Sequence, residues 1–214
     1  MYITWLGQSC FKIQDKLTAD GVTLVTDPYK AEIGLKLPNF SADIITISHN
    51  HPDHNNAEGL RGDPYIVQSA GEFDIKGVAI HGIEAFHDSQ NGKERGQIII
   101  YRIEVEDISI AHLSDLGHLL DNKQLEVLSG IDVLFIPVGG KYTIDAKKAV
   151  EVVAQIEPRI IIPMHYKLPG LKYEFDGVEK FIKEIGLKPR EEEKLKLSKK
   201  DLPAEDMELV ILKM

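Results

Sequence analysis

The sequence predicts an α+β fold of two packed β-sheets with helices outside them, and three observations carry that expectation. Short runs rich in β-branched and aromatic residues fill the first half without a helical period. In the second half such runs alternate with capped, amphipathic segments. The most histidine-rich stretch, Ser48-His49-Asn50-His51-Pro52-Asp53-His54-Asn55, stands directly behind the apolar run Asp43-Ile44-Ile45-Thr46-Ile47, where a buried strand would end.

Taken in order, Tyr2 to Leu6 and Ser9 to Gln14 read as antiparallel strands joined at Gly7-Gln8. Val22 to Thr26 is a third, ending in Asp27-Pro28-Tyr29, where the proline stops the sheet. Lys30 to Phe40 reads as a loop or short helix whose Ile33, Leu35 and Leu37 could line the mouth of a site. Tyr65 to Gln68 and Val78 to Phe86 are expected strands, joined by the glycine-marked stretch Gly71 to Gly77. After a polar turn from Asn91 to Gly96, Gln97 to Val105 and Ile108 to Leu113 form a hairpin turning at Glu106-Asp107. Asp121 caps a helix to about Leu128, with Gly130 after its end. Asp145 caps another over Ala146 to Ile156, stopped by Pro158. Further strands are expected at Asp132 to Val138, Arg159 to Ile162 and Glu208 to Leu212. An amphipathic helix covers Phe175 to Ile185, closed by Gly186, and the charge-rich run Glu191 to Lys200 holds an edge strand at Lys194 to Leu197.

At 214 residues the chain suits one domain, 1–214, that buries roughly 70% of its unfolded surface. A net charge of −9 argues against a nucleic-acid partner held on a broad basic face. The one cysteine, Cys10, excludes an intramolecular disulfide and sits in a strand pattern that suits core packing. With no basic leader and no long apolar run visible, no membrane segment is expected and the cytoplasm is the default location.

Three imidazoles and a carboxylate in six residues suit neither a core nor a turn. Each buried ring without a partner costs roughly 1–3 kcal/mol, and Gly, Asn and Asp make better turns. They do suit a metal: neutral imidazole and carboxylate are ligands for zinc, and for iron or manganese. In an extended loop His49 and His51 leave the chain on one side and can grip one ion. Asp53 and His54, past Pro52, diverge towards a second. Asp27, directly after a strand, is either a turn former or an acceptor that fixes a ligand histidine's tautomer.

The spelling His-x-His-x-Asp-His, together with Thr26-Asp27-Pro28, His87, His112-Leu113-Ser114-Asp115-Leu116-Gly117-His118, Pro137 to Thr143 and Pro163-Met164-His165-Tyr166, resembles the metallo-β-lactamase superfamily. The resemblance is to its compact branch, which includes ascorbate-phosphate lactonases and uncharacterised Zn-dependent hydrolases. It implies a four-layer αββα sandwich with the site at one edge of the two packed sheets. It further implies that His49, His51 and His87 hold a first metal and Asp53, His54 and His165 a second, with Asp115 bridging. By the same resemblance Asp53 and Asp115 would take the catalytic roles, and the cofactor would be two divalent ions, zinc first, with iron or manganese as alternatives. His112 competes with His87 for its position. Asp27, His112, His118 and Tyr166 are expected behind the ligands or in the pocket. One departure is Ser114, where the family usually has glycine.

The implied activity is hydrolysis by a metal-bridged hydroxide of a small-molecule ester, lactone, thioester or phosphodiester. Lys141, Lys167 or Arg95 could supply a cationic contact to such a substrate. A nuclease and a non-catalytic metal-binding protein are the alternatives; no membrane partner is expected, and a homo-oligomer is compatible with the sequence.

Overall fold

The structure, a computed structural model, describes residues 1–15 and 21–214. In chain order its strands are β1 (Tyr2–Gly7), β2 (Cys10–Gln14), β3 (Thr23–Thr26), β4 (Ile44–Thr46), β5 (Tyr65–Val67), β6 (Gly71–Ile75), β7 (Val78–Phe86), β8 (Gln97–Val105) and β9 (Ile108–His112). Helix α1 (Asn122–Val127), β10 (Val133–Pro137), α2 (Ala146–Ile156), β11 (Ile160–Met164), α3 (Val178–Ile185), β12 (Pro189–Glu192), β13 (Leu195–Lys196) and β14 (Glu208–Leu212) follow. Among the described residues they form a six-stranded sheet, β13-β1-β2-β3-β4-β5, and an eight-stranded one, β12-β14-β11-β10-β9-β8-β7-β6.

Both sheets are mixed. Strands β3, β4 and β5 run parallel, as do β9, β10, β11 and β14, whereas β6 to β9 form an antiparallel meander. Parallel central strands are buried on both faces, which is why Val133–Pro137 and Ile160–Met164 read as continuous apolar runs. The sheets meet through aromatics: Phe11 of β2 stacks on Phe135 of β10 with ring centroids 3.9 Å apart. The buried Tyr101 of β8 donates its hydroxyl across the interface to the Ile47 carbonyl at 2.7 Å.

The caps work as the sequence implies. Asp121 accepts from the Gln124 amide and Asp145 from the Lys148 amide, each at 2.9 Å, and α2 buries Ala149, Val152, Val153 and Ile156 on one face.

Four expectations need correction. Gly71–Ile75 is a strand, β6, paired with β7 from Gly71↔Gly82 to Ile75↔Val78. Its alternation, Glu72-Phe73-Asp74-Ile75, spans only four residues between Gly71 and Gly77, so the glycines outweighed it. The charge-rich run opens with a parallel edge strand, β12, whose register on β14 runs from Pro189↔Leu209 to Glu192↔Leu212. An exposed edge tolerates Glu and Arg. Helix α3 begins at Val178 rather than Phe175, because Asp176 spends its amide on the Gly139 carbonyl and its carbonyl on Lys167. Finally, Ile33 and Leu35 do not line a mouth; they are buried in a second core cluster with Tyr29, Val25 and Ile45.

Candidate metal centre

The C-terminal ends of the parallel strands point to one edge of the sandwich, and each site residue enters from such an end or from the loop behind it. Asp27 follows β3, the loop Ser48 to His54 follows β4, Asp115 follows β9 and His165 follows β11; His87 follows the antiparallel β7. Ligands collected this way are as rigid as the sheets that carry them.

Two groups of donor atoms result, each within 4.8 Å: His49, His51 and His87, and Asp53, His54, Asp115 and His165. In the first, His49 Nε2 lies 2.9 Å from His51 Nδ1. In the second, His54 Nε2 stands 3.2 Å from Asp115 Oδ2 and 3.5 Å from Asp53 Oδ2. His165 Nε2 stands 3.2 Å from Asp115 Oδ1. Asp115 Oδ2 is also 3.3 Å from His87 Nε2, so this one carboxylate touches both groups.

The fit to a metal can be tested on the atoms themselves. His54 Nε2, His165 Nε2 and Asp115 Oδ1 are fully buried and make no hydrogen bond of acceptable geometry. Native folds rarely leave three such atoms facing one point, because each costs about 1–3 kcal/mol. A cation at that point satisfies all three, and the donor set, imidazole with carboxylate, is one divalent transition metals accept.

Behind the ligands lies Asp27, which is fully buried. Its Oδ1 accepts from the Ser48 amide at 2.7 Å, and its Oδ2 accepts from Ser48 Oγ at 2.7 Å and from His54 Nδ1 at 2.9 Å. Because Ser48 Oγ donates to Asp27, it is free to accept from His49 Nδ1, 2.9 Å away. Both imidazoles are thereby held as the tautomer whose Nε2 is bare, one histidine from each group. Ser114 Oγ adds a longer contact to Asp27 Oδ2 at 3.3 Å.

The electrostatics follow from this crowding. Burial, aided by the neighbouring His54, pushes His49 down to about 3 and keeps it neutral at any ordinary pH. His54 goes the other way: burial opposes its charge, but Asp115, Asp53 and Asp27 outweigh it and raise its pKa well above the usual value. Burial likewise opposes ionisation of Asp53 and Asp115, yet the surrounding histidines hold both far below the usual carboxylate range.

Backbone conformation marks the site too. Gln8, Asp27, Ser114 and His165 have φ of 52°, 39°, 48° and 52°, a left-handed region that costs a non-glycine residue on the order of 1–3 kcal/mol. Glycine is the easy residue at position 114, and the serine there offsets the strain with a hydroxyl for Asp27. Two glycines permit close approach. A Cβ on Gly117 would sit 2.3 Å from the Asp88 amide nitrogen, and one on Gly139 would sit 2.2 Å from the His165 carbonyl oxygen.

Not every expected residue reaches the cavity. His112 lies in the core between the sheets, donating to the Ser9 carbonyl at 2.8 Å with its ring edge-on to Phe11 and Phe135. It is the last residue of β9, three before Asp115 and still inside the core, and the first group contains His87 and not His112. His118 accepts from the Phe86 amide at 3.0 Å and donates to the Leu119 carbonyl at 2.7 Å, which occupies both ring nitrogens. Tyr166 is buried against Trp5, with ring centroids 4.9 Å apart. Lys141 pairs with Glu174 at 2.9 Å. Lys167 is not among the cavity's lining residues, whereas Arg95 is.

The cavity in front of the donors has a volume of about 260 Å³ and is also lined by the aromatics Tyr142, Tyr173 and Phe175, the last packed against His165 with ring centroids 4.6 Å apart. Sequence reasoning missed that aromatic wall, and also Gln8, whose Nε2 donates to Asp53 Oδ2 at 3.4 Å. A lone glutamine in a hairpin turn carries no signal of such a role. The paired aromatics Tyr173 and Phe175, two residues apart, were the available clue.

A mixed-sheet sandwich with His- and Asp-rich loops converging on one edge defines the class of metal-dependent hydrolases of the metallo-β-lactamase fold. The sequence profile of the beta-lactamase superfamily domain matches residues 2–165, and the chain belongs to that superfamily. It is 27% identical to a UPF0173 metal-dependent hydrolase from Methanopyrus kandleri, over 87% of this chain and 94% of the relative. A crystal structure from Thermotoga maritima, described as a candidate Zn-dependent hydrolase of the metallo-β-lactamase superfamily, is 36% identical and superposes with a TM-score of 0.80, covering 99% of this chain and 98% of that one. A candidate metal-dependent hydrolase from Parabacteroides distasonis, 18% identical with a TM-score of 0.66 over 99% of this chain and 93% of that one, shares the fold.

Proposed function

We propose that this chain is a dinuclear, zinc-using hydrolase of small molecules, acting on an ester, lactone, thioester or phosphodiester. The observation that carries the reading is the pair of donor groups opening onto one cavity, His49-His51-His87 beside Asp53-His54-Asp115-His165. Zinc is the first choice on ligand type, with iron or manganese as alternatives that availability would decide. Two such ions, when bound, lower the pKa of water towards about 7 and polarise the bond to be cleaved.

The protein's own groups supply the rest. Asp27 fixes the two imidazole tautomers, and Asp115 ties the two donor groups together. Asp53 keeps an edge towards the cavity while Gln8 holds its Oδ2, so it can accept a hydrogen bond from the attacking water and pass a proton to the leaving group. The wall of Tyr142, Tyr173 and Phe175 seats the apolar part of a substrate and excludes bulk water.

Two measurements test the reading together. Elemental analysis of reconstituted protein should find close to two metal ions per chain. Metal-loaded protein should hydrolyse at least one member of a panel of lactones, thioesters, esters and phosphodiesters. Asp115→Asn should lose metal and at least a hundredfold in turnover, since a neutral amide bridges poorly between cations. Full metal content and full turnover in that variant would overturn the assignment.

A further inference from the structure

Arg95 stands apart from the other cations near the cavity. Its guanidinium carbon lies 4.6 Å from the centroid of the Tyr142 ring, and it lines the same cavity as the donor groups. Lys141, 5.5 Å from the centroid of the same ring, is already paired with Glu174. Among the described residues, no carboxylate is paired with Arg95. A guanidinium stacked on a ring by its face keeps its in-plane N–H donors free, and those donors form a fork that fits an oxyanion.

Its position is built rather than incidental. The Asp88 carboxylate gathers four amides of its own loop: Gln90 and Gly92 at 2.7 and 2.9 Å on Oδ1, Glu94 and Arg95 at 3.0 and 2.8 Å on Oδ2. The loop closes on itself through the Gly96 amide to the Gly92 carbonyl at 2.9 Å and the His87 amide to the Gly96 carbonyl at 3.1 Å. The residue that carries the free cation is thus tied, through Asp88, directly to His87 of the first donor group. An exposed arginine without a carboxylate partner, on the lining of this cavity, is placed to meet a charge that a substrate brings.

We propose that Arg95 binds an anionic group of the substrate, a carboxylate or a phosphate separated from the scissile bond by a short apolar or planar spacer that packs on Tyr173 and Phe175. This rests on the hydrolase reading of the same site and narrows its substrate class. Asp88 acts as a positioning residue for Arg95.

The test compares the zinc-loaded wild type with Arg95→Gln and Arg95→Lys. The first readout is the ratio of kcat/KM for the mono-p-nitrophenyl ester of glutaric acid over p-nitrophenyl butyrate. That ratio should exceed about tenfold in the wild type, fall to near one in Arg95→Gln, and recover in part in Arg95→Lys, which keeps the charge but not the fork. The second is calorimetric binding of benzoate, phenyl phosphate and benzamide, which needs no turnover. At least one of the two anions should bind about tenfold more weakly to Arg95→Gln, with benzamide unchanged; which anion responds more distinguishes carboxylate from phosphate. If the wild type cleaves neither ester yet loses anion affinity in the variant, the hydrolase reading fails on these substrates while the anion subsite stands. If both anions bind the wild type and Arg95→Gln equally, the subsite is wrong whatever the turnover.

Discussion

At the scale of single residues, Asp27 decides what the metal loop can do. It fixes the Nδ1–H of His54 directly and that of His49 through Ser48. His54 Nε2 stands between Asp53 and Asp115, and those carboxylates outweigh burial and raise the pKa of its imidazole well above the usual value. Because the folded pKa is raised, the imidazolium stabilises the metal-free fold below the ordinary histidine pKa, and that contribution fades as pH rises through the folded value. A metal ion takes the place of the same proton. Metal uptake should therefore displace a proton from His54, and affinity should fall as pH falls. Calorimetric titration of zinc in two buffers of different ionisation enthalpy reads that proton directly; equal apparent heats would show that none leaves. The cluster His49 to His54 was legible in the sequence because its composition fits no bland environment. Choosing between His87 and His112 was not possible from spacing alone. The choice depends on His112 ending β9 inside the core, between Phe11 and Phe135.

At the scale of elements, the site is held where the loop after β9 presses against the end of β7. The Gly117 amide donates to the Phe86 carbonyl at 3.0 Å, and a Cβ there would meet the Asp88 nitrogen at 2.3 Å and the His87 carbonyl carbon at 2.5 Å. Those atoms are backbone and cannot swing aside. Gly117→Ala should accordingly cost about 1–3 kcal/mol and displace Asp115, lowering metal content as well as stability. An unchanged denaturation midpoint with full metal occupancy would show that the loop yields. The elements legible in the sequence were those with strong local signals. Helices α1 and α2 announced themselves by Asp121 and Asp145, and β8–β9 by alternation and a polar turn, where Glu106 and Asp107 take φ of 52° and 62°. Strands β6 and β12 are edges: β12 has no apolar pattern of its own, and the four-residue alternation of β6 is masked by the glycines that flank it.

At the scale of the whole molecule, charge selects among partners. The chain carries a net −9, and three lysines of its C-terminal part are engaged locally: Lys199 with Asp132 at 2.8 Å, Lys213 with Glu191 at 2.6 Å, and Lys194 over the Tyr2 ring at 4.1 Å. Arg95 lines the cavity, whose volume of about 260 Å³ is of the size expected for a small-molecule substrate under the proposed function. RNA cleavage needs several phosphate contacts, and a protein making about six loses roughly a thousandfold in affinity between ~50 and ~200 mM salt. A substrate held by one arginine and the metals should lose no more than a few-fold over the same range. Metal-loaded protein offered the small-molecule panel beside a structured transfer-RNA precursor, at those two salt concentrations, should hydrolyse small molecules with the shallow dependence. Cleavage of the RNA alone, collapsing at the higher salt and lost in Asp115→Asn, would keep the metal centre and transfer the chain to the nucleases. The acidic surface would then need a basic partner to bring the RNA in.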